Sequence, residues 1–411
     1  MSIKIGLSKG EGLLLRCPAS LKVISGEVEA WGGPIEEVEV PLEGVDLLLT
    51  ARRDSTVEVE GQYIKLENPI PEWWEQLPEV LAGKKVLFLG RIDSGKSSSI
   101  LYLTNKLTSM DHPLTIIDSD VGQSDLGPPG VISSKRLEEP VIHMKLLEPD
   151  FMYFIGDKTP SGHFLPMVRG VFEALKNSDT DTILVNTTGF VDGGAARALK
   201  RFKMEFVDPD IIIAIEKEKD DLEHLMRIVP RGVEVKRFPS PVGSTGKDRS
   251  YRMAARRALV RRYLEGGQVR RVNLLDIELR NTFLLTGKKK IWYVPFLEGV
   301  LGTKIHWLEE SPDMLIALTE GGVDRRKAEK LSDLLNKEVR IAPLDLYRGL
   351  YVGLLAKNRC AGVGIVQSLN IREGVIDVLT KYDENIEGLA FGYIRFNAEG
   401  EELGARGMGS P

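Results

Sequence analysis

The sequence predicts an α/β protein whose central parallel sheet lies between two β-rich domains. Three observations carry that expectation. Buried-type apolar runs alternate with helical stretches between residues 75 and 265, a glycine-rich loop joins one such run to a helix, and short glycine- and proline-broken strands occupy both ends. The length agrees. At about 150 residues per domain, a chain of 411 residues is expected to hold two or three domains, and the pattern changes place three at 1–74, 75–265 and 266–411.

Residues 1–74 open with alternating runs such as Leu13-Leu14-Leu15, Val23-Ile24-Ser25, Val38-Glu39-Val40 and Thr56-Val57-Glu58-Val59. They show no helical period and predict a small antiparallel β-domain. Pro69 and Pro71 mark its end. Trp73 and Trp74 then have two readings, stacking on a base or packing of the linker against the next domain. In the second domain Val86–Leu89, Leu114–Ile117, Thr182–Val185 and Ile211–Ile215 are near-continuous aliphatic runs, as expected of parallel strands covered on both faces. The third domain reads as mixed and β-rich. Its expected strands lie at Phe283–Leu285, Ile291–Val294, Met314–Leu318 and Gly362–Val366, with a helix between Arg325 and Asn336 and a frayed tail from Gly404.

Composition narrows the class. With 42% hydrophobic and 28% charged residues the chain is expected to be globular, and a net charge of −5 confines any polyanion site to a local basic patch. Two distant cysteines and five histidines without ligand spacing support neither a disulfide framework nor a zinc site. No stretch approaches the length of a membrane span and the N-terminus lacks a signal-like apolar core, so a cytoplasmic protein with no membrane partner is expected.

The chemistry concentrates in the second domain. Gly90-Arg91-Ile92-Asp93-Ser94-Gly95-Lys96-Ser97 follows the run Val86–Leu89 and opens a helix expected from Ser97 to about Leu107. Such a loop turns successive N–H groups and a helix N-terminus toward phosphate oxygens. Gly90, Asp93, Ser94, Gly95, Lys96, Ser97 and Ser98 are the expected nucleotide-binding residues, with Lys96 on the β/γ-phosphates and Ser97 on Mg²⁺.

Past the second run, Asp118-Ser119-Asp120-Val121-Gly122-Gln123 places two carboxylates on one face of an extended chain. Asp118 is assigned to the metal side and Asp120 to an acceptor hydroxyl, while Gln123 offers an amide to a phosphate or hydroxyl. Thr187, Thr188 and Phe190 end the third run and are candidates for holding substrate. Arg249, Arg252 and Arg256 share a helix face within the basic segment 247–262. Arginines there suit a lid over the loop, with 240–246 as its hinge. A guanine-reading element is absent after the fourth run, where Glu216-Lys217-Glu218-Lys219-Asp220 stands.

Together the loop Gly90–Ser97, the Asp118-x-Asp120-x-Gly122-Gln123 element, Gly156-Asp157-Lys158-Thr159-Pro160, Thr188-Gly189-Phe190 and the arginine-rich segment resemble the polynucleotide 5′-hydroxyl kinases, and the compact chain is most similar to their archaeal members. The resemblance implies an N-terminal β-sandwich, a central P-loop NTPase-type kinase domain and a smaller C-terminal domain. It implies ATP and Mg²⁺ held by Lys96 and Ser97, Asp120 orienting or deprotonating a 5′-hydroxyl, and a clasp of Thr187 and Thr188. Arg252 and Arg256 are implied as lid arginines, with Arg249 and Arg257 as substitutes. The 5′ ends of RNA and, as an open alternative, DNA are the implied partners, and protein partners are unknown. The competing reading is an ATP-binding switch or scaffold of an RNA-processing complex with little kinase activity.

Overall fold

A computed structural model describes residues 2–241, 248–407 and 411. The chain divides into two compact units, Met1–Leu259 and Val260–Pro411.

The first unit begins with strands β1 (Ile3–Leu7), β2 (Glu11–Ser25), β3 (Val28–Ala30), β4 (Gly33–Ile35), β5 (Glu37–Val40), β6 (Asp46–Ala51) and β7 (Ser55–Glu67). They form one antiparallel sheet in the order β1-β7-β2-β6-β3-β4, with β5 on β2. Two of the expected strands, at Leu13 and Val23, belong to the single 15-residue β2, which pairs with β6 near its start and with β5 further on. The short helices α1 (Glu72–Gln76) and α2 (Pro78–Leu81) follow. Trp73 stacks on Phe238 at 4.5 Å, and Trp74 stacks on Tyr102 at 4.9 Å while its Nε1 donates to Ser99 Oγ. Both indoles are buried, as the packing reading expects, and Trp74 also lines the cavity described below.

The central sheet contains β8 (Lys85–Gly90), β9 (Leu114–Ser119), β10 (Val131–Leu137), β11 (Phe151–Phe154), β12 (Thr182–Thr187), β13 (Ile211–Glu216) and β14 (Glu234–Pro239). Helices α3 (Lys96–Ser109), α4 (Phe164–Lys176), α5 (Gly193–Val207) and α6 (Glu223–Met226) connect them, and α7 (Arg249–Leu264) follows. The order is β11-β10-β9-β12-β8-β13-β14. All four expected runs are strands, and β9, β12, β8, β13 and β14 run parallel, but β10 is antiparallel to both neighbours. The sheet is therefore mixed. Val131-Ile132-Ser133-Ser134-Lys135-Arg136-Leu137 lacks the continuous apolar character of its neighbours, which hid the reversed strand.

The continuous runs have a physical cause. In β8, Val86 and Phe88 join one core with α3 and the N-terminal sheet, whereas Leu87 and Leu89 join a second core with α4 and α5. Each face thus takes alternate residues, and each buried side chain contributes about 1.5–3 kcal/mol.

In the second unit, β15 (Gln268–Asn273), β16 (Glu278–Arg280), β21 (Leu350–Ala356), β22 (Arg359–Asn370), β23 (Val375–Thr380), β24 (Gly388–Phe396) and β25 (Glu402–Ala405) form one sheet. The strands β17 (Lys288–Lys289), β18 (Ile305–Glu310), β19 (Met314–Thr319) and β20 (Glu338–Pro343) form another, packed with α8 (Val294–Leu301) and α9 (Arg325–Leu335). Two expected strands are corrected here. Phe283–Leu285 is a loop turning at Leu285, whose φ is 64°, and Ile291–Tyr293 is the approach to α8, where Pro295 favours a helix start. The tail is ordered further than expected, since β25 reaches Ala405 and Arg406 is buried.

Candidate active site

The loop between β8 and α3 is shaped by its glycines. Gly95 caps α3 with a φ of 90°, a left-handed conformation that other residues adopt at a cost. Lys96 is buried and its Nζ donates to the carbonyls of Gly90 at 3.0 Å and Arg91 at 2.8 Å. Burial holds its ammonium below the ordinary lysine range, opposed chiefly by Asp120 and Asp93. Among the described residues, the buried Ser94 hydroxyl has no hydrogen-bond partner.

The carboxylates at the end of β9 diverge. The i, i+2 spacing does not place both in the open cleft: Asp118 is turned into the protein. Its Oδ1 accepts from Asp120 N and Asn186 Nδ2, and its Oδ2 accepts from Asp125 N and Leu126 N. The three amides tie Asp120, Asp125 and Leu126 of the β9–β10 loop to Asp118, and Asn186 ties Asp118 to β12. Burial, with Asp125 and Asp120 nearby, lifts the Asp118 carboxyl to about 7 against the pull of those amides. Asp120 uses Oδ1 alone, accepting from Gly122 N at 3.1 Å and Gln123 N at 3.2 Å. Its Oδ2 is uncommitted among the described residues.

A cavity of about 190 Å³ joins these parts within the first unit. It is lined by the loop from Ile92 to Ser98, by Asp120, Gly122, Gln123 and Asp125, and by Arg252 and Arg256. Its apolar wall comes from the N-terminal sheet, at Leu14, Trp31, Leu48 and Leu66. Arg252 Nη1 lies 3.1 Å from Asp93 Oδ2, and Arg256 Nη2 donates to Gly122 O at 3.2 Å. Tyr251 Oη donates to Asp46 Oδ1, which anchors the start of α7 on the N-terminal sheet. Arg249 and Arg257 are exposed and do not line the cavity. Of the expected hinge, 242–246 lies outside the described residues.

The β12 end is built differently. Thr187 and Thr188 are buried; Thr187 Oγ1 donates to Phe88 O at 2.7 Å. Phe190 stacks on Phe164 and does not line the cavity. Gly189 is required there, because a Cβ would lie 2.5 Å from Ile92 N in the phosphate-binding loop. Asn186 Nδ2 reaches both Asp118 Oδ1 and Ser97 Oγ, and its buried Oδ1 has no partner among the described residues.

Among the described residues no group of three or more His, Cys, Asp or Glu is placed to hold a metal ion, and no helix is long and apolar enough to cross a membrane. A metal at this site would take Ser97 Oγ plus water and phosphate oxygens, the usual habit of Mg²⁺.

Residues 90–266 match the family described as mRNA cleavage and polyadenylation factor CLP1 P-loop. A polyribonucleotide 5′-hydroxyl-kinase of Pyrococcus horikoshii is 32% identical, the match covering 82% of this chain and 94% of that protein. The chain belongs to the polyribonucleotide 5′-hydroxyl-kinase family. A further family member, from Thermococcus kodakarensis, is also 32% identical over 78% of this chain and 90% of its own length. The fold is similar to that of Clp1p in its solved complex with Pcf11p, with a TM-score of 0.66, 14% identity and coverage of 96% of this chain and 98% of that one.

Sequence reasoning missed two buried lysines behind this site. Lys200 and Lys203 are fully buried on α5 and point to the ends of β12 and β9. The signal was present: both fall on the apolar stripe Ala196, Leu199, Met204 and Val207, where a lysine is out of place.

Proposed function

We propose that this chain binds ATP with Mg²⁺ and transfers the γ-phosphoryl group to the 5′-hydroxyl of RNA, with DNA as a second acceptor. One observation carries the reading beyond nucleotide binding. Asp46, Asp93 and Asp125 in the cleft are tied to Tyr251, Arg252 and Lys145, whereas among the described residues Asp120 bonds only to amides of its own turn, through one oxygen. That leaves Oδ2 fixed in direction and able to accept a proton.

The residues present fit the nucleotide and its metal. Support comes from the partnerless Ser94 hydroxyl, the left-handed Gly95 before the α3 N-terminus, and the partnerless Asn186 Oδ1 beside Ser97. In this reading Gly90, Asp93, Ser94, Gly95 and Ser98 shape the phosphate cradle, and Lys96 exchanges its loop carbonyls for phosphate oxygens. Ser97 holds Mg²⁺, with Asp118 in the metal's outer shell through Asn186. Bound Mg²⁺ supplies charge neutralisation on the phosphate oxygens. Asp120 takes the proton of the 5′-hydroxyl as its oxygen bonds to the γ-phosphorus and the bond to the ADP oxygen breaks. Arg252 and Arg256 offset charge on the transferred group, which requires Arg252 to release Asp93. Gln123, on the cavity wall, holds the acceptor end, while Thr187 and Thr188 are buried off that wall, Thr187 supporting the loop end of β8 through Phe88 O, and Phe190 packs on Phe164. The apolar wall from Leu14 to Leu66 suits the nucleotide base.

The functional division into 1–74, 75–265 and 266–411 belongs to this proposal, with the first a β-sandwich that closes the cleft. Two buried free thiols, Cys17 and Cys360, support a reducing, cytoplasmic setting. Incubating the protein with γ-labelled ATP, Mg²⁺ and 5′-hydroxyl RNA, DNA or nucleosides tests the assignment. Label on RNA is expected; label on nucleosides alone, or on no acceptor, overturns it.

A further inference from the structure

Lys200 has no role in the phosphoryl transfer described above, yet its surroundings are unusual. Its side chain is completely buried, and no carboxylate lies within hydrogen-bonding distance of its Nζ among the described residues. The Nζ instead meets Thr187 Oγ1 at 2.9 Å, Thr188 O at 2.5 Å and Thr188 Oγ1 at 3.4 Å. The donors and acceptors can be assigned. Phe88 O can only accept, so the Thr187 hydroxyl gives its hydrogen to it and must itself accept from Lys200. Thr188 O also only accepts. Two N–H groups of Lys200 are therefore engaged whatever its charge.

The third position depends on that charge. A neutral amine turns its lone pair toward Thr188 Oγ1 and can take the hydroxyl hydrogen, whereas an ammonium presents a third N–H and leaves that hydrogen free for another acceptor. The charged groups facing Lys200 are Lys203 one turn along α5, Lys96 on α3 and Asp120 in the β9–β10 loop. Burial and the two lysines outweigh Asp120 and push the Lys200 ammonium well below the ordinary range. A polyphosphate arriving at Lys96 adds several negative charges on the side of this cluster and favours the charged form. The connection to the phosphate-binding loop is direct: Gly189, next to Thr188, abuts Ile92, and Thr187 is bonded to the end of β8.

We propose that Lys200 is a positioning residue that takes up a proton from solvent when a nucleoside triphosphate enters the cleft, adding a positive charge behind the phosphate-binding loop and freeing the Thr188 hydroxyl to donate. The proposal rests on the ATP-binding part of the function above and is independent of which acceptor is phosphorylated.

Calorimetric titration of the whole protein with Mg²⁺-saturated ATP, near neutral pH and in two buffers of different ionisation enthalpy, counts the protons exchanged. The intact protein is expected to take up as much as about one proton per nucleotide more than Lys200→Met. Lys200→Met is expected to fold, because a buried amine with no ionic partner among the described residues is replaced by an apolar side chain of similar length, and its thermal transition checks this. It is expected to bind ATP about tenfold more weakly, while Lys200→Arg, permanently charged, restores affinity without the proton uptake. Equal proton counts in the intact protein and Lys200→Met overturn the proposal, as does the absence of ATP binding. Failure of RNA to acquire label with the proton difference intact overturns the acceptor assignment alone.

Discussion

Asp120→Asn separates the two jobs that the structure gives this side chain. Oδ1 accepts from the amides of Gly122 and Gln123, and an asparagine oxygen can occupy that place with the turn intact. Oδ2 makes no such bond, and there the substitution replaces a proton-accepting oxygen with an NH₂ group. The loss should therefore fall on the chemical step. General-base catalysis is typically worth about 10²–10⁴-fold, so kcat for transfer to RNA should fall by that factor, with KM for ATP changed by less than about threefold. Asp120→Ala removes both functions, and freeing two amides should cost roughly 1–3 kcal/mol of loop stability and raise KM for RNA as well. Steady-state assays with labelled ATP, varying each substrate in turn, resolve the two patterns. If Asp120→Asn retains kcat within a few-fold, or loses ATP affinity as severely as turnover, the proton-accepting role is wrong.

Other consequences follow from individual contacts. Lys96→Ala should abolish transfer while circular dichroism and the thermal midpoint stay near those of the intact protein, because among the described residues the ammonium's hydrogen bonds go to loop carbonyls. Trp74→Ala should destabilise the first unit by about 3–5 kcal/mol in denaturant unfolding, since it removes a buried ring stacked on Tyr102 and a bond to Ser99. Lys203 donates to Ser119, and burial, opposed by Asp120 and Asp118, lowers its ammonium to about 8. An unfolded lysine stays protonated to about 10.4, so between pH 8 and that value the unfolded chain binds more protons and stability rises with pH. The burial penalty, about 3 kcal/mol, is thus fully present below pH 8. Lys203→Met should be more stable than the intact protein near neutral pH, and its advantage should shrink as pH rises toward 10; a constant difference would show that the fold does not lower the Lys203 ammonium below its unfolded value.

Much of the central sheet was legible because a parallel strand covered on both faces must be apolar along its length, as Val86–Leu89 and Ile211–Ile215 are. The loop Gly90–Ser97 was legible for a related reason: its chemistry requires glycine, lysine and serine at fixed positions between strand and helix. Reversed β10 was hidden by its serines and charges, and Ile291–Tyr293 read as a strand although Ile291 and Trp292 are largely exposed. In the site, spacing put Asp118 and Asp120 on one face and assigned them separate roles, but it did not show that Asp118 turns inward, where four amide and side-chain donors converge on it. Lys200 and Lys203 escaped notice because lysine is read as solvent-facing by default; only their register on the α5 stripe marked them.

The central claim is transfer to a 5′-hydroxyl. Its most direct test uses two RNAs of one sequence, with a 5′-hydroxyl or a 5′-phosphate end, incubated with the protein, Mg²⁺ and γ-labelled ATP. Label should appear at the 5′ terminus of the hydroxyl RNA and nowhere on its phosphorylated twin; equal labelling of both, or of neither, would contradict the account.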